Sequence, residues 1–202
     1  QDAINTARSR GAVVVVAARN SSTSAANFSP ANCSGVINVA SVGRGGARAY
    51  YSNYGANVDV AAPGGDMSTG YNNGILSTLN TGATTPGGDT YAYYQGTSMA
   101  APHVAGVVAL MRARNPSLTP DEVEARLRSS TRRFPSTCSA CGTGIVDAQA
   151  AVAAAAAAPV NANDTETNNT LARAQSIPVF VRFKGSISSS SVLTVSTSAS
   201  SS

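Results

Sequence analysis

Residues 99–111 are apolar nearly all the way round a helix: Met99, Ala100, Ala101, Val104, Ala105, Val107, Val108, Ala109, Leu110 and Met111. A helix without a polar face belongs in the interior of a domain. A tight polar turn, Gln95-Gly96-Thr97-Ser98, stands immediately before it. Pro102 fits the first turn of such a helix, where its missing N–H goes unneeded. Ser98 is therefore expected at the N-terminus of a buried helix. Unpaired N–H groups and the positive dipole end there favour negative charge beside its hydroxyl. A nucleophile is served by that position; an ordinary Ser N-cap is the plainer alternative.

The 202 residues suffice for one domain with a real core and an appendage. Only 12% of residues are charged and 5% aromatic, and the net charge of +4 comes from scattered Arg and one Lys, Lys184. No basic cluster is interleaved with aromatics, so nucleic acid is not an expected partner. Residues 104–111 and 150–158 are too short to span a bilayer, so no membrane partner is expected either. The cysteines are Cys33, Cys138 and Cys141. The Cys138-Ser-Ala-Cys141 spacing suits a redox or zinc half-site, but there is no second pair and His103 is the sole histidine. A local structural disulfide in an oxidising compartment is the better reading. The partner of Cys33 is then expected upstream of Gln1, with a buried thiol as the alternative.

Taken in order, residues 2–9 read as the tail of an amphipathic helix ended by Arg10-Gly11. Four consecutive valines, Val13 to Val16, suit a strand covered on both faces, over residues 12–18. Helix, turn and buried strand make half of a doubly wound α/β unit. Residues 35–42, of alternating character, and the short run before Pro63-Gly64 predict two further strands. Residues 65–90 predict loop and hairpin. Thr119-Pro120-Asp121-Glu122 is a capping box opening a helix to about Ser130. The Ala-rich run 148–158 is helical by propensity and stopped by Pro159.

Gly96-Thr97-Ser98-Met99-Ala100-Ala101-Pro102-His103 resembles the serine motif of the subtilisin-like serine proteases over eight consecutive positions. The valine run closed by Ala17-Ala18-Arg19-Asn20 resembles that family's Ala-Ala-Gly-Asn segment, and the segments at 51–55, 58–64, 75–78 and 142–148 resemble others. The resemblance covers residues 1–158 as the C-terminal part of a catalytic domain. It implies an α/β fold: a doubly wound, mostly parallel sheet with helices on both faces. It implies Ser98 as nucleophile, Asn20 as oxyanion donor and Thr97 as minor support. A substrate-binding rim would comprise Ala18, Arg19, Pro30, Ala31 and Gly96. The bond before that Pro is often cis in relatives. Arg19 departs from the family's Gly, which bears on specificity and on strain in the turn.

The implied activity is secreted, extracellular, bacterial endopeptidase action on polypeptide substrates, by a monomer. Catalytic Asp and His are expected upstream, because residues 1–94 hold no His. His103 lies five residues after Ser98, about 500° round the same helix, and reads as structural. No cofactor is needed for the chemistry. Relatives often bind structural calcium, but Asp59, Asp66 and Asp89 are too scattered to assign a site, and no metal ligand is named. A catalytically incomplete pseudoprotease or binding module is the alternative, and an adhesive surface module the weaker third. Residues 159–202 read as a linker with either the start of a β-sandwich appendage or a Ser-rich disordered tail.

Overall fold

A computed structural model describes residues 1–136 and 138–156. The expectations for residues 159–202, and for the last two alanines of the run 148–158, lie outside the described residues. The elements in chain order are α1 (Asp2–Ser9), β1 (Val15–Ala17), β2 (Ile37–Val42), β3 (Val60–Pro63), β4 (Ile75–Asn80), β5 (Asp89–Tyr94), α2 (Thr97–Arg114), α3 (Pro120–Ser129) and α4 (Ala148–Ala156). Strands β1, β2 and β3 form a parallel sheet in that order, with Val15 beside Ile37 and Val39 beside Val60. The valine run is longer than β1, although the Val14 carbonyl still accepts from the Ile37 N–H at 2.8 Å.

Side chains alternate across the sheet, as the two-residue period of a strand requires. Ile37, Val39, Val60 and Ala62 face one core with Ala100, Val104, Val107 and Met111 of α2, joined by Leu127 of α3 and Ala151 of α4. Ala40, Val42 and Ala61 face a second core with Ala18, Ala31 and Ile145. All six residues of β2 are buried. Its alternating sequence thus marks not a wet face but polar groups that bond inside the fold. Asn38 donates to the carbonyls of Ala31 (3.1 Å) and Asn57 (3.0 Å), and the Ser41 N–H donates to Ser52 Oγ (2.9 Å).

Helix α2 departs from the expectation of burial all round. Val104, Val107, Val108 and Met111 are buried, but Pro102, His103, Ala105, Gly106, Ala109 and Leu110 are exposed. An apolar sequence shows that a face can be covered; it does not say that these residues cover it. Helix α3 opens with the expected reciprocal cap: the Glu122 N–H donates to Thr119 Oγ1 at 3.2 Å and the Thr119 N–H donates to Glu122 Oε2 at 2.8 Å. Arg126 of α3 is buried and donates to the Ala154 carbonyl (2.7 Å) and the Ala155 carbonyl (3.3 Å) at the end of α4. Arg8 of α1 donates to the Gly35 carbonyl at 2.9 Å and pairs with Asp121 of α3.

Strands β4 and β5 form a separate antiparallel hairpin, with Leu76 opposite Tyr93, and β5 runs straight into the serine turn. Cys138 and Cys141 are joined as a local disulfide, as expected, with Cys141 buried in the second core. Cys33 is a half-buried free thiol among the described residues.

Candidate active site

The site forms where the end of β1, the end of β3 and the start of α2 meet. In an open parallel sheet, ligands bind beyond the carboxyl ends of the strands. Gly96 is the N-cap of α2, with φ 151° and ψ 160°, and its carbonyl accepts from the Met99 N–H at 2.9 Å. Its own N–H donates to the Gly64 carbonyl at 2.9 Å, which ties the serine turn to the residue that follows β3. A β-carbon on Gly64 would lie 2.1 Å from Ser41 Oγ and 2.5 Å from the Gly96 carbonyl oxygen. Glycine is therefore the residue that lets strand and turn close up. Ser98 is the second residue of α2 and exposed.

Asn20 lies three residues past β1, and Thr97 joins it to the turn. Both the N–H of Thr97 (2.9 Å) and its Oγ1 (2.8 Å) donate to Asn20 Oδ1. A backbone N–H can only donate, so the carboxamide must present its oxygen to Thr97 and turn Nδ2 away. Asn20 Nδ2 donates to no described residue, and neither does the N–H of Ser98. Two donors without an acceptor among the described residues thus stand at the positive end of α2. A β-carbon on Gly96 would lie 3.3 Å from Asn20 Nδ2, so the same glycine keeps that amide clear.

The other predicted rim residues divide into two groups. Ala18 and Ala31 are buried in the second core, and the Ala31 carbonyl accepts from Asn38 and Asn57 (2.8 Å). Arg19 and Pro30 are exposed, and the Ser29–Pro30 bond is cis. Arg19 holds φ 82°, a left-handed conformation that a residue with a β-carbon rarely adopts. Its N–H donates to Thr97 Oγ1 (3.2 Å), and its carbonyl accepts from the Asn53 N–H (2.9 Å). The Arg19 guanidinium lies over the ring of Phe28, 5.2 Å from its centroid.

Asn53 and Tyr51 are structural parts of the site that the sequence reading passed over. Asn53 is buried, and its Oδ1 accepts from the N–H groups of Ser21 (2.9 Å) and Thr23 (3.2 Å), which holds the loop after Asn20 in shape. The buried Tyr51 hydroxyl lies 2.7 Å from Ser41 Oγ and donates to the carbonyls of Gly64 (3.0 Å) or Gly65 (2.6 Å). Burial pushes its pKa above the usual phenol value, opposed by the Ser41 hydrogen bond. The only available signal was a pair of ordinary turn residues, Tyr51 and Asn53, whose partners lie far away in sequence.

His103 is exposed, and its Nδ1 donates to the Met99 carbonyl one turn back at 2.7 Å. Among the described residues no three His, Cys, Asp or Glu side chains cluster. Asp59 accepts from the Asn38 N–H (2.8 Å) and pairs with Arg128 (3.2 Å), while Asp66 caps Ser68 (3.1 Å). No described helix is long and apolar enough to cross a membrane.

The comparisons with known proteins agree with this geometry. The family model described as "Subtilase family" matches residues 1–175. The chain is 53% identical over 154 residues to an extracellular protease of Xanthomonas campestris pv. campestris, covering 75% of this chain and 25% of that protein. It is 42% identical over 147 residues to an extracellular basic protease of Dichelobacter nodosus, covering 70% and 23%. Among solved structures, a protease of Pseudoalteromonas arctica superposes with a TM-score of 0.74 at 65% identity, covering 76% of this chain and 46% of that one. The chain therefore spans about a quarter of the length of the first two relatives and under half of the third. Family model, relatives and fold lead to one conclusion: this chain belongs to the subtilase family.

Proposed function

We propose that the complete protein is a secreted serine endopeptidase in which Ser98 attacks the scissile carbonyl. Asn20 Nδ2 and the Ser98 N–H would receive the oxyanion. The observation that carries this reading is the fixed carboxamide of Asn20. Thr97 occupies its oxygen from two sides and leaves its NH₂ free beside the serine turn. Such preorganised donors act where charge develops in the transition state and need no reorganisation there. Thr97 is a positioning residue in this scheme, and Gly96 and Gly64 provide the clearance.

Attack by a serine hydroxyl needs a base and a group to orient that base. Both would come from a segment N-terminal to this chain. That assignment is supported by the single histidine of the sequence, which lies on α2 and is bound to its own helix, and by the larger size of the relatives. The 202 residues alone should then show no normal turnover, since oxyanion binding without a base leaves only residual rate. The relatives' names as extracellular proteases support secretion. No cofactor is required for the chemistry.

The test is labelling of the complete gene product with a fluorophosphonate, followed by peptide mapping. Adduct on Ser98 is expected, and its absence from an otherwise folded protein would overturn the reading. Asn20→Ala is expected to lower kcat by about 10²–10³ with little change in KM; that magnitude is borrowed from subtilisin, where the equivalent donor was removed.

A further inference from the structure

We infer that Arg19 makes this site select an acidic side chain on the substrate residue that donates the scissile carbonyl. The inference rests on the proposed roles of Ser98 and Asn20 and deepens them. Arg19 is covalently next to Asn20, and its N–H is bound to Thr97, the residue that fixes the Asn20 amide. A carbonyl oxygen received by Asn20 puts the α-carbon of the same substrate residue beside the Arg19 position.

Three observations show that the guanidinium is held in place and electrically unsatisfied. Its carbon lies over the Phe28 ring, a cation–π contact that leaves the N–H groups available to a ligand. None of its N–H groups donates to a described residue, and no described carboxylate pairs with it. Nor does the neighbouring loop supply counter-charge. Arg48 reaches the same loop at Ser22 Oγ (3.4 Å), gives a hydrogen bond to the Ser52 carbonyl, and likewise pairs with no described carboxylate. The rim thus carries two cations that no described carboxylate neutralises. A planar fork of donors with one aromatic-backed face matches a carboxylate, which it can hold through two parallel hydrogen bonds.

The backbone adds a separate argument. At φ 82° a glycine would sit without strain, so arginine is not the residue that this turn favours. The turn keeps its shape through the Thr97 and Asn53 hydrogen bonds on either side of Arg19. The arginine contributes a charge that no described carboxylate pairs with.

The test compares kcat/KM of the complete gene product on paired peptides that differ only by Glu or Gln at the residue donating the cleaved carbonyl. The wild-type protein is expected to prefer Glu by about fivefold or more at low salt, and the preference is expected to shrink at high salt. Arg19→Gly, which relaxes the turn, should bring the Glu/Gln ratio to about one, and Arg19→Lys should retain part of it. Cleavage with the same ratio in wild type and Arg19→Gly would overturn this inference and leave the protease reading standing. Failure to cleave any peptide, with no label on Ser98, would overturn both.

Discussion

One side chain, Thr97, serves both of its neighbours across the site. Its hydroxyl donates to Asn20 Oδ1 and accepts from the Arg19 N–H. Thr97→Val keeps the shape and the Thr97 N–H contact but removes both hydroxyl bonds. The expected outcome is a stability loss of about 1–2 kcal/mol, because the Arg19 N–H is left without its acceptor. In the complete protein kcat should fall about tenfold as Asn20 loses one of its two restraints. Thermal unfolding and steady-state kinetics would check the two effects separately. The placement of Ser98 at the start of α2 and of Asn20 just past β1 was legible because each lies in a continuous stretch with a local pattern. Asn53 and Tyr51 were not. Their roles depend on loops 32 residues and 13 residues away, and no local pattern announces such a bond.

At the level of elements, caps were the most readable feature. Thr119 and Glu122 are three residues apart, and their reciprocal bonds are closed within one turn. Thr119→Ala should therefore lower stability by about 1 kcal/mol, as measured by denaturant unfolding. Nothing local in the sequence sets Arg126 apart, yet it is buried and bonded to the end of α4. A cation at a helix C-terminus also meets the negative end of the dipole. Arg126→Met fills similar space but leaves the carbonyls of Ala154 and Ala155 without these donors. A loss of about 2–3 kcal/mol is expected, with Tm falling accordingly. Helix α2 shows the opposite limit of sequence reading. Its apolar pattern pointed to burial all round, while the exposed stripe at Pro102, Ala105, Ala109 and Leu110 depends on what packs there.

For the molecule as a whole, pH acts through two places. Asp59 and Glu124 belong to a charged cluster with Arg8 and Arg128 that links the start of β3 to α1 and α3. Burial raises both carboxyl pKa values, partly offset for Asp59 by the Asn38 N–H and Arg128, while the charge of Asp59 also raises Glu124. Each carboxyl binds its proton more tightly in the folded chain than in the unfolded one. Stability from this source is complete below the ordinary carboxyl value of about 4 and is lost as pH rises through the higher folded values. Unfolding free energy should thus decline as pH rises just above the usual carboxylate range, and Asp59→Asn should flatten the decline. Tyr51 repeats the sign at the alkaline end. Its raised pKa means that stability falls as pH climbs beyond about 10, and Tyr51→Phe should remove that limb of the profile.

Replacing glycine with alanine is a common way to harden a protein, because it narrows the unfolded ensemble. Gly106 of α2 has open space around it in this chain and would accept the change. Gly64 would not: a single added methyl would wedge the sheet away from the serine turn. The gap between the end of β3 and the start of α2 is thus set by an atom that is missing. Any hardening of this fold would have to work around that point.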